Sequence, residues 1–200
     1  MIHNLFPTPV GFYKVEINDL EAILSQDKRP NQGNQTSVNT KLLDDLPDLK
    51  EQVLAHLDDY FKSVYQPKHD VKLRITQSWA NYTDAGQFHH KHAHPNSFVS
   101  GVLYPKADKS KDKIYFYKDG YQQIKIPPTD WNHWNSESWW FQIGTGDLVL
   151  FPSNLQHMVE TVKGEQTRIS LSFNTFPVGN IGEEVNLTGL QIGDLDGAFR

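Results

Sequence analysis

Val71-Lys-Leu-Arg-Ile-Thr-Gln-Ser-Trp-Ala80 alternates its side chains with a period of two. Val71, Leu73, Ile75, Gln77 and Trp79 share one side; Lys72, Arg74, Thr76, Ser78 and Ala80 take the other. Successive strand side chains point to opposite faces, so this stretch predicts a strand. Upstream the period is helical. Leu49, Val53, Leu57, Tyr60, Phe61 and Val64 recur at helical spacing, with Pro47 where a first helical residue tolerates proline and Pro67 as a stop. Asn18 with Glu21 suggests a capping box ahead of Leu20, Ile23 and Leu24, and the polar run from Gln26 to Thr40 reads as a loop.

Downstream of Ala80, strands are expected at Phe98–Tyr104, Lys113–Tyr117, Gln122–Ile126, Asp147–Phe151, His157–Val162 and Thr167–Phe173, with Gly and Pro between them. Many short strands after N-terminal helices predict a mostly β (α+β) fold. The architecture expected is a double-stranded β-helix, that is a jelly roll or cupin-like barrel, with N-terminal supporting helices. The chain reads as a single domain over 1–200: helical support in 1–70, the β-helix core in 71–176 and a surface tail in 177–200.

Composition removes several functions. The 200 residues carry 24 acidic and 19 basic side chains, net −5, without a basic block, which argues against nucleic-acid binding by counterion release. No window approaches a membrane span, and the N-terminus lacks the pattern of a signal peptide, so a cytoplasmic location is expected. Cysteine is absent, which excludes disulfides, thiolate metal sites and cysteine nucleophiles. A homodimer is expected on general grounds only.

Nine histidines against no cysteine point to imidazole chemistry. Four of them, His89, His90, His92 and His94, fall within six positions. Residues two apart on a strand share a face, so His92 and His94 can converge on one ion, and imidazole suits Fe, Zn, Cu or Ni. His157 is the candidate third ligand. The opposing reading is a polar strand face without metal. His3, His56, His69 and His133 show no partner pattern and read as surface or packing residues.

Eleven residues after His157 comes Arg168-Ile-Ser-Leu-Ser-Phe-Asn174. Ile169, Leu171 and Phe173 take one face, and Arg168, Ser170, Ser172 and Asn174 the other. That polar face either meets solvent or lines the barrel, where Arg168 can grip a carboxylate and Ser170 add a hydroxyl.

Together these residues resemble the iron(II)- and 2-oxoglutarate-dependent dioxygenases, especially their prolyl-hydroxylase-like branch. The resemblance rests on His92-Ala-His94, the distal His157 and Arg168-Ile-Ser170, and it covers about residues 74–176. Tyr82, ten residues before His92, stands where that branch places an aromatic in its cofactor pocket. Ser100-Gly-Val-Leu-Tyr104 is similar to the strand whose tyrosine contacts the tail carboxylate of 2-oxoglutarate. Asp147-Leu-Val-Leu-Phe-Pro-Ser-Asn-Leu-Gln-His157 is similar to the segment delivering the distal histidine. His94-Pro-Asn-Ser97 with the closing Arg168–Asn174 strand also looks like a group of oxygenases common in marine bacteria and phages.

The resemblance implies Fe(II) on His92, His94 and His157, and 2-oxoglutarate bound by Tyr82, Ser100, Tyr104, Arg168 and Ser170. It implies O2 as co-substrate and hydroxylation of a primary substrate with release of succinate and CO2. One position departs from the family pattern. Where the family has a carboxylate the chain has His94, so Asp84 stays open as a carboxylate from the preceding loop, and His90 as a replacement ligand. A cupin-like three-histidine metalloenzyme without 2-oxoglutarate is the rival. The usual cupin glutamate is missing after His94. A third reading is a non-catalytic, carbohydrate-binding jelly roll using the aromatic stretch Trp131–Phe141, which otherwise reads as a lid, a substrate wall or packing.

Overall fold

A computed structural model describes residues 1–120, 124 and 126–195. Gln122–Ile126, expected as a strand, lies largely outside the described residues. In chain order the elements are β1 (Gly11–Lys14), α1 (Leu20–Leu24), β2 (Lys28–Asn31), β3 (Asn34–Ser37), α2 (Pro47–Tyr65), β4 (Val71–Thr83), β5 (His89–His92), β6 (Val99–Lys106), β7 (Lys113–Tyr117), β8 (Ser138–Gln142), β9 (Asp147–Pro152), β10 (His157–Val159), β11 (Arg168–Ile181) and β12 (Leu190–Ile192). Single 3-10 turns precede α2 and β12.

The strands form two antiparallel sheets. The larger runs β1-β9-β6-β11-β4-β3-β2, with β12 added to the far end of β11, and the smaller runs β5-β10-β7-β8. Two hydrophobic clusters follow from this layering. Leu49, Val53, Leu57, Tyr60 and Phe61 of α2 pack on the outer face of the large sheet, against Ala80, Tyr82, Leu103, Leu171 and Phe173. Between the sheets Val102, Tyr104, Ile114, Phe116, Val149 and Phe151 fill the barrel. The jelly-roll expectation stands.

The helical expectation for the first 70 residues needs correction. α2 forms as its spacing predicts, with Pro47 in its first turn and Gln66 left-handed at its end (φ 43°) before Pro67. α1 is a five-residue turn whose N-cap is Asp19, without a side-chain cap, so the Asn18–Glu21 box does not form. The expected Gln26–Thr40 loop contains the hairpin β2–β3, which extends the large sheet beside β4. Gly33, at φ +86°, makes its turn: the left-handed backbone there disfavours any side chain. The expected surface tail is also partly sheet, since β11 runs on to Ile181 and β12 folds back onto it.

The alternation that opens β4 does not run its full length. Against β11, Ile75 pairs Thr175 and Gln77 pairs Asn174, so Thr76 is one residue too many. Such a bulge reverses the facing of everything beyond it. Leu73 and Ile75 face the helix before Thr76, whereas Ala80 and Tyr82 do so after it. Trp79, Asn81 and Thr83 therefore turn inward. At Gly101, opposite Phe173, the ring occupies the place of a side chain: a Cβ there would sit 2.1 Å from Phe173 Cζ.

Candidate metal centre and cofactor pocket

β10 lies between β5 and β7, and His157 at its start faces His92 across the ladder. His94 comes after β5 ends, so strand alternation does not by itself bring it to His92. The intervening turn does. His94 N–H donates to the Ser153 carbonyl at 2.9 Å, and Asn96 takes a left-handed φ of 56°. Ser97 Oγ and Thr175 then tie the loop to β11.

The result is a triad. Each of His92, His94 and His157 offers a ring nitrogen within 4.8 Å of the other two, and His94 Nε2 stands 3.3 Å from His157 Nε2. His92 Nδ1 donates to the His90 carbonyl at 2.8 Å, and His157 Nδ1 to the Leu155 carbonyl at 3.1 Å. A proton committed to Nδ1 leaves Nε2 with its lone pair free, the usual way a protein orients a metal-binding histidine. Burial first, then the neighbouring rings, lowers all three pKa values. His94 falls to about 4, and His157 lies well below its ordinary value. Three neutral imidazoles close together are poised to accept a cation. They can hold a first-row transition ion.

Around the triad is a support that the sequence pattern only hinted at. Asn174 hydrogen-bonds His94, and its Oδ1 accepts from Ser100 Oγ at 3.1 Å. Ser100 Oγ also meets Ser153 Oγ at 2.8 Å. Ser100 therefore belongs to the network that fixes the His94 turn. Asn174 was visible as the fourth member of the Arg168 face, and that shared face was its only signal.

Asp84 and Tyr82 stand elsewhere. Asp84 is exposed and accepts from Thr167 Oγ1 at 2.6 Å, and among the described residues no carboxylate joins a histidine group. Tyr82 lies in the helix-side core, where its hydroxyl donates to the Ile23 carbonyl and Lys28 Nζ sits 4.3 Å from its ring centre. The bulge at Thr76 explains why: it leaves Asn81 and Thr83, rather than Tyr82, facing the interior.

Farther inside, β11 delivers Arg168, which is 4 % exposed. It has a countercharge within the chain. Nη1 lies 3.2 Å from Asp112 Oδ1, itself nearly buried, and 3.4 Å from the Glu160 carbonyl. Asp112, in the sequence Lys109-Ser-Lys-Asp-Lys113, reads like one acid in a solvated charged turn and gave no signal. Arg168 Nη2 has no partner among the described residues, nor does the hydroxyl of Tyr104. Tyr104 is fully buried, and burial raises its pKa, so it remains a hydrogen-bond donor. Ser170 follows on the same face of β11, half-buried.

Two donors orphaned inside a barrel are costly unless something accepts from them. A carboxylate fits both. The pocket thus has cationic and hydroxyl donors for an anion and, at the triad, lone pairs for a metal.

The aromatic stretch forms part of the outer edge of the small sheet. Trp139, Trp140 and Phe141 lie in β8, while Trp131 and Trp134 are exposed. With Ile126, Pro127 and Pro128, Trp131, Trp139 and Trp140 line a groove of about 690 Å³ that contains none of the clustered histidines. The four remaining histidines are surface or packing residues as expected; His69, for example, meets Glu183 at 3.2 Å, and His133 packs on Trp139. No described helix is long and apolar enough to cross a membrane.

Residues 77–174 match the family model described as "Putative 2OG-Fe(II) oxygenase". No curated protein matches the chain in sequence. Among solved structures, an oxidoreductase of the 2OG-Fe(II) oxygenase family from Burkholderia pseudomallei superposes with a TM-score of 0.56 at 14 % identity, covering 80 % of this chain and 77 % of that one. HygX from Streptomyces hygroscopicus, solved with nickel and 2-oxoglutarate bound, gives 0.54 at 12 % identity, over 84 % and 82 %. The carbocyclase SnoK from nogalamycin biosynthesis gives 0.58 at 10 % identity, over 84 % and 79 %. At these identities the likeness is one of fold.

Proposed function

We propose, from the match of residues 77–174 to the 2OG-Fe(II) oxygenase family model, that this chain is a dioxygenase whose Fe(II) is held by His92, His94 and His157 and whose 2-oxoglutarate is held by Arg168, Tyr104 and Ser170. The observation that carries the reading is the pair of orphaned donors, Arg168 Nη2 and Tyr104 Oη, buried in the same barrel as a neutral histidine triad. A metal-only cupin site would have no use for them. The prolyl-hydroxylase-like branch has no support beyond the fold.

Fe(II) with 2-oxoglutarate supplies oxidative decarboxylation of the co-substrate, with O2, coupled to oxidation of a C–H bond. The chain's own residues do the rest. Nδ1 of His92 and of His157 keep their protons on backbone carbonyls, so both rings present Nε2. Asn174 orients His94. Arg168, anchored by Asp112 through Nη1, turns Nη2 toward the distal carboxylate, and Tyr104 adds its hydroxyl. Val102, Phe116, Val149 and Phe151 exclude water, which strengthens these charge contacts.

The test is an anaerobic titration of apo-protein with Fe(II) and then 2-oxoglutarate. A weak visible charge-transfer band that appears only with both, and that Arg168→Ala abolishes, supports the assignment. Iron uptake without the band supports the cupin-like reading. Failure to take up iron overturns both.

A further inference from the structure

Five histidines gather at this end of the barrel, and they form two overlapping triads. His89, His90 and His92 offer ring nitrogens within 4.8 Å of one another, as the inner three do. Their ring centres stand 5.3 Å apart for His89–His90, 4.7 Å for His89–His92 and 4.9 Å for His90–His92. His90 Nδ1 is buried and has no partner among the described residues. An orphaned ring nitrogen in a group of three imidazoles whose ring nitrogens lie this close together is satisfied by a cation of the kind imidazole prefers. The outer three rings are half-buried, whereas His94 and His157 are buried. An ion arriving from solvent meets the outer triad first.

We propose that His89, His90 and His92 form a second position for a divalent first-row transition ion, a receiving site from which the ion passes to the inner triad. His92 belongs to both groups, and its Nδ1 is committed to the His90 carbonyl, so one nitrogen serves both positions. The two sites are therefore mutually exclusive, and the chain holds one ion at a time. His89 joins through Nε2. Its Nδ1 lies 3.0 Å from Asn34 Nδ2; turning that carboxamide over, together with that of Asn31, which donates to Asn34 Oδ1 at 3.1 Å, presents an oxygen to the Nδ1 proton instead. Only the identity of the inner ligands rests on the function proposed above; the outer triad stands on its own geometry.

Co(II) alone is the probe, followed by its d–d absorbance in apo-protein. Wild type takes up one equivalent; two would overturn the exclusivity. The His94→Ala/His157→Ala variant still binds one Co(II), and adding His90→Ala weakens that binding at least tenfold. Equal affinity in the double and triple variants overturns the outer site. His94→Gln/His157→Gln replaces the alanine pair if circular dichroism shows that pair to be misfolded. In stopped flow, His90→Ala alone takes up Co(II) several-fold more slowly than wild type while reaching a similar final affinity. An unchanged rate overturns the receiving role. Loss of the wild-type ion on His90→Ala, with retention on His157→Ala, would instead overturn the inner ligand set and leave the outer site standing.

Discussion

Arg168 Nη1 lies 3.2 Å from Asp112 Oδ1 inside the barrel, and the two meet across 56 residues of sequence. The pair neutralises a guanidinium that would otherwise be a lone buried charge. It also uses one side of the guanidinium and leaves Nη2 without a partner among the described residues.

Arg168→Ala weakens 2-oxoglutarate binding more than tenfold while Fe(II) affinity stays near wild type, because the triad makes no contact that depends on that side chain. Calorimetric titration with each ligand separately checks both halves. Unchanged 2-oxoglutarate affinity would falsify the cofactor assignment.

Asp112→Asn keeps the size of the side chain but removes its charge, and so leaves Arg168 uncompensated. Breaking one partner of a buried pair costs about 3 kcal/mol or more. Apo-protein should lose that much in denaturant unfolding. Saturating 2-oxoglutarate, with its distal carboxylate on Arg168 as proposed, should raise the melting temperature of the variant more than that of wild type. Equal increments would mean that the ligand does not reach Arg168.

Asn174→Ala removes the partner of His94 and of Ser100. Outer partners of a metal ligand are typically worth about ten- to a hundredfold in affinity. Fe(II) or Co(II) binding should weaken by that amount with the fold retained, measured by metal titration beside circular dichroism.

Acid should destabilise the apo-protein through its histidines. Burial holds His94 at about 4 and His89 at about 3 in the folded chain, against about 6.5 in an unfolded one. Below pH about 6.5 the unfolded chain therefore binds more protons, so stability present at neutral pH is lost as pH falls from there towards about 4. Each such histidine contributes at most about 1.4 kcal/mol per pH unit. Urea unfolding at pH 7 and pH 5 should show the loss, and His94→Gln should shrink it; a loss of the same size in that variant would place its cause elsewhere.

Tyr82→Phe should cost about 1 kcal/mol of stability, the usual worth of one hydrogen bond, here that to the Ile23 carbonyl. The affinity for 2-oxoglutarate should not change. A several-fold loss of affinity would put Tyr82 back in the pocket.

Short-range information in the chain determined a good deal. Period-two alternation marked β4, β7 and the Arg168 face of β11, and helical spacing marked α2. The histidine spacing, with Arg168 eleven residues beyond His157, pointed to the metal and co-substrate chemistry proposed above before any strand was placed. The hairpin β2–β3 was missed because its polar residues look like loop; Gly33 was the available sign.

Tertiary structure decided the rest, because it depends on how strands far apart in sequence register with one another. One extra residue at Thr76 turns Tyr82 to the helix side and Asn81 and Thr83 inward, and alternation within β4 cannot reveal a bulge defined by its partner β11. Asp112 looks like any acid among lysines until β7 and β11 close the barrel around it. Which polar atoms lack partners is likewise a property of the closed interior: among the described residues, Arg168 Nη2, Tyr104 Oη and His90 Nδ1 are orphaned only once water has been excluded.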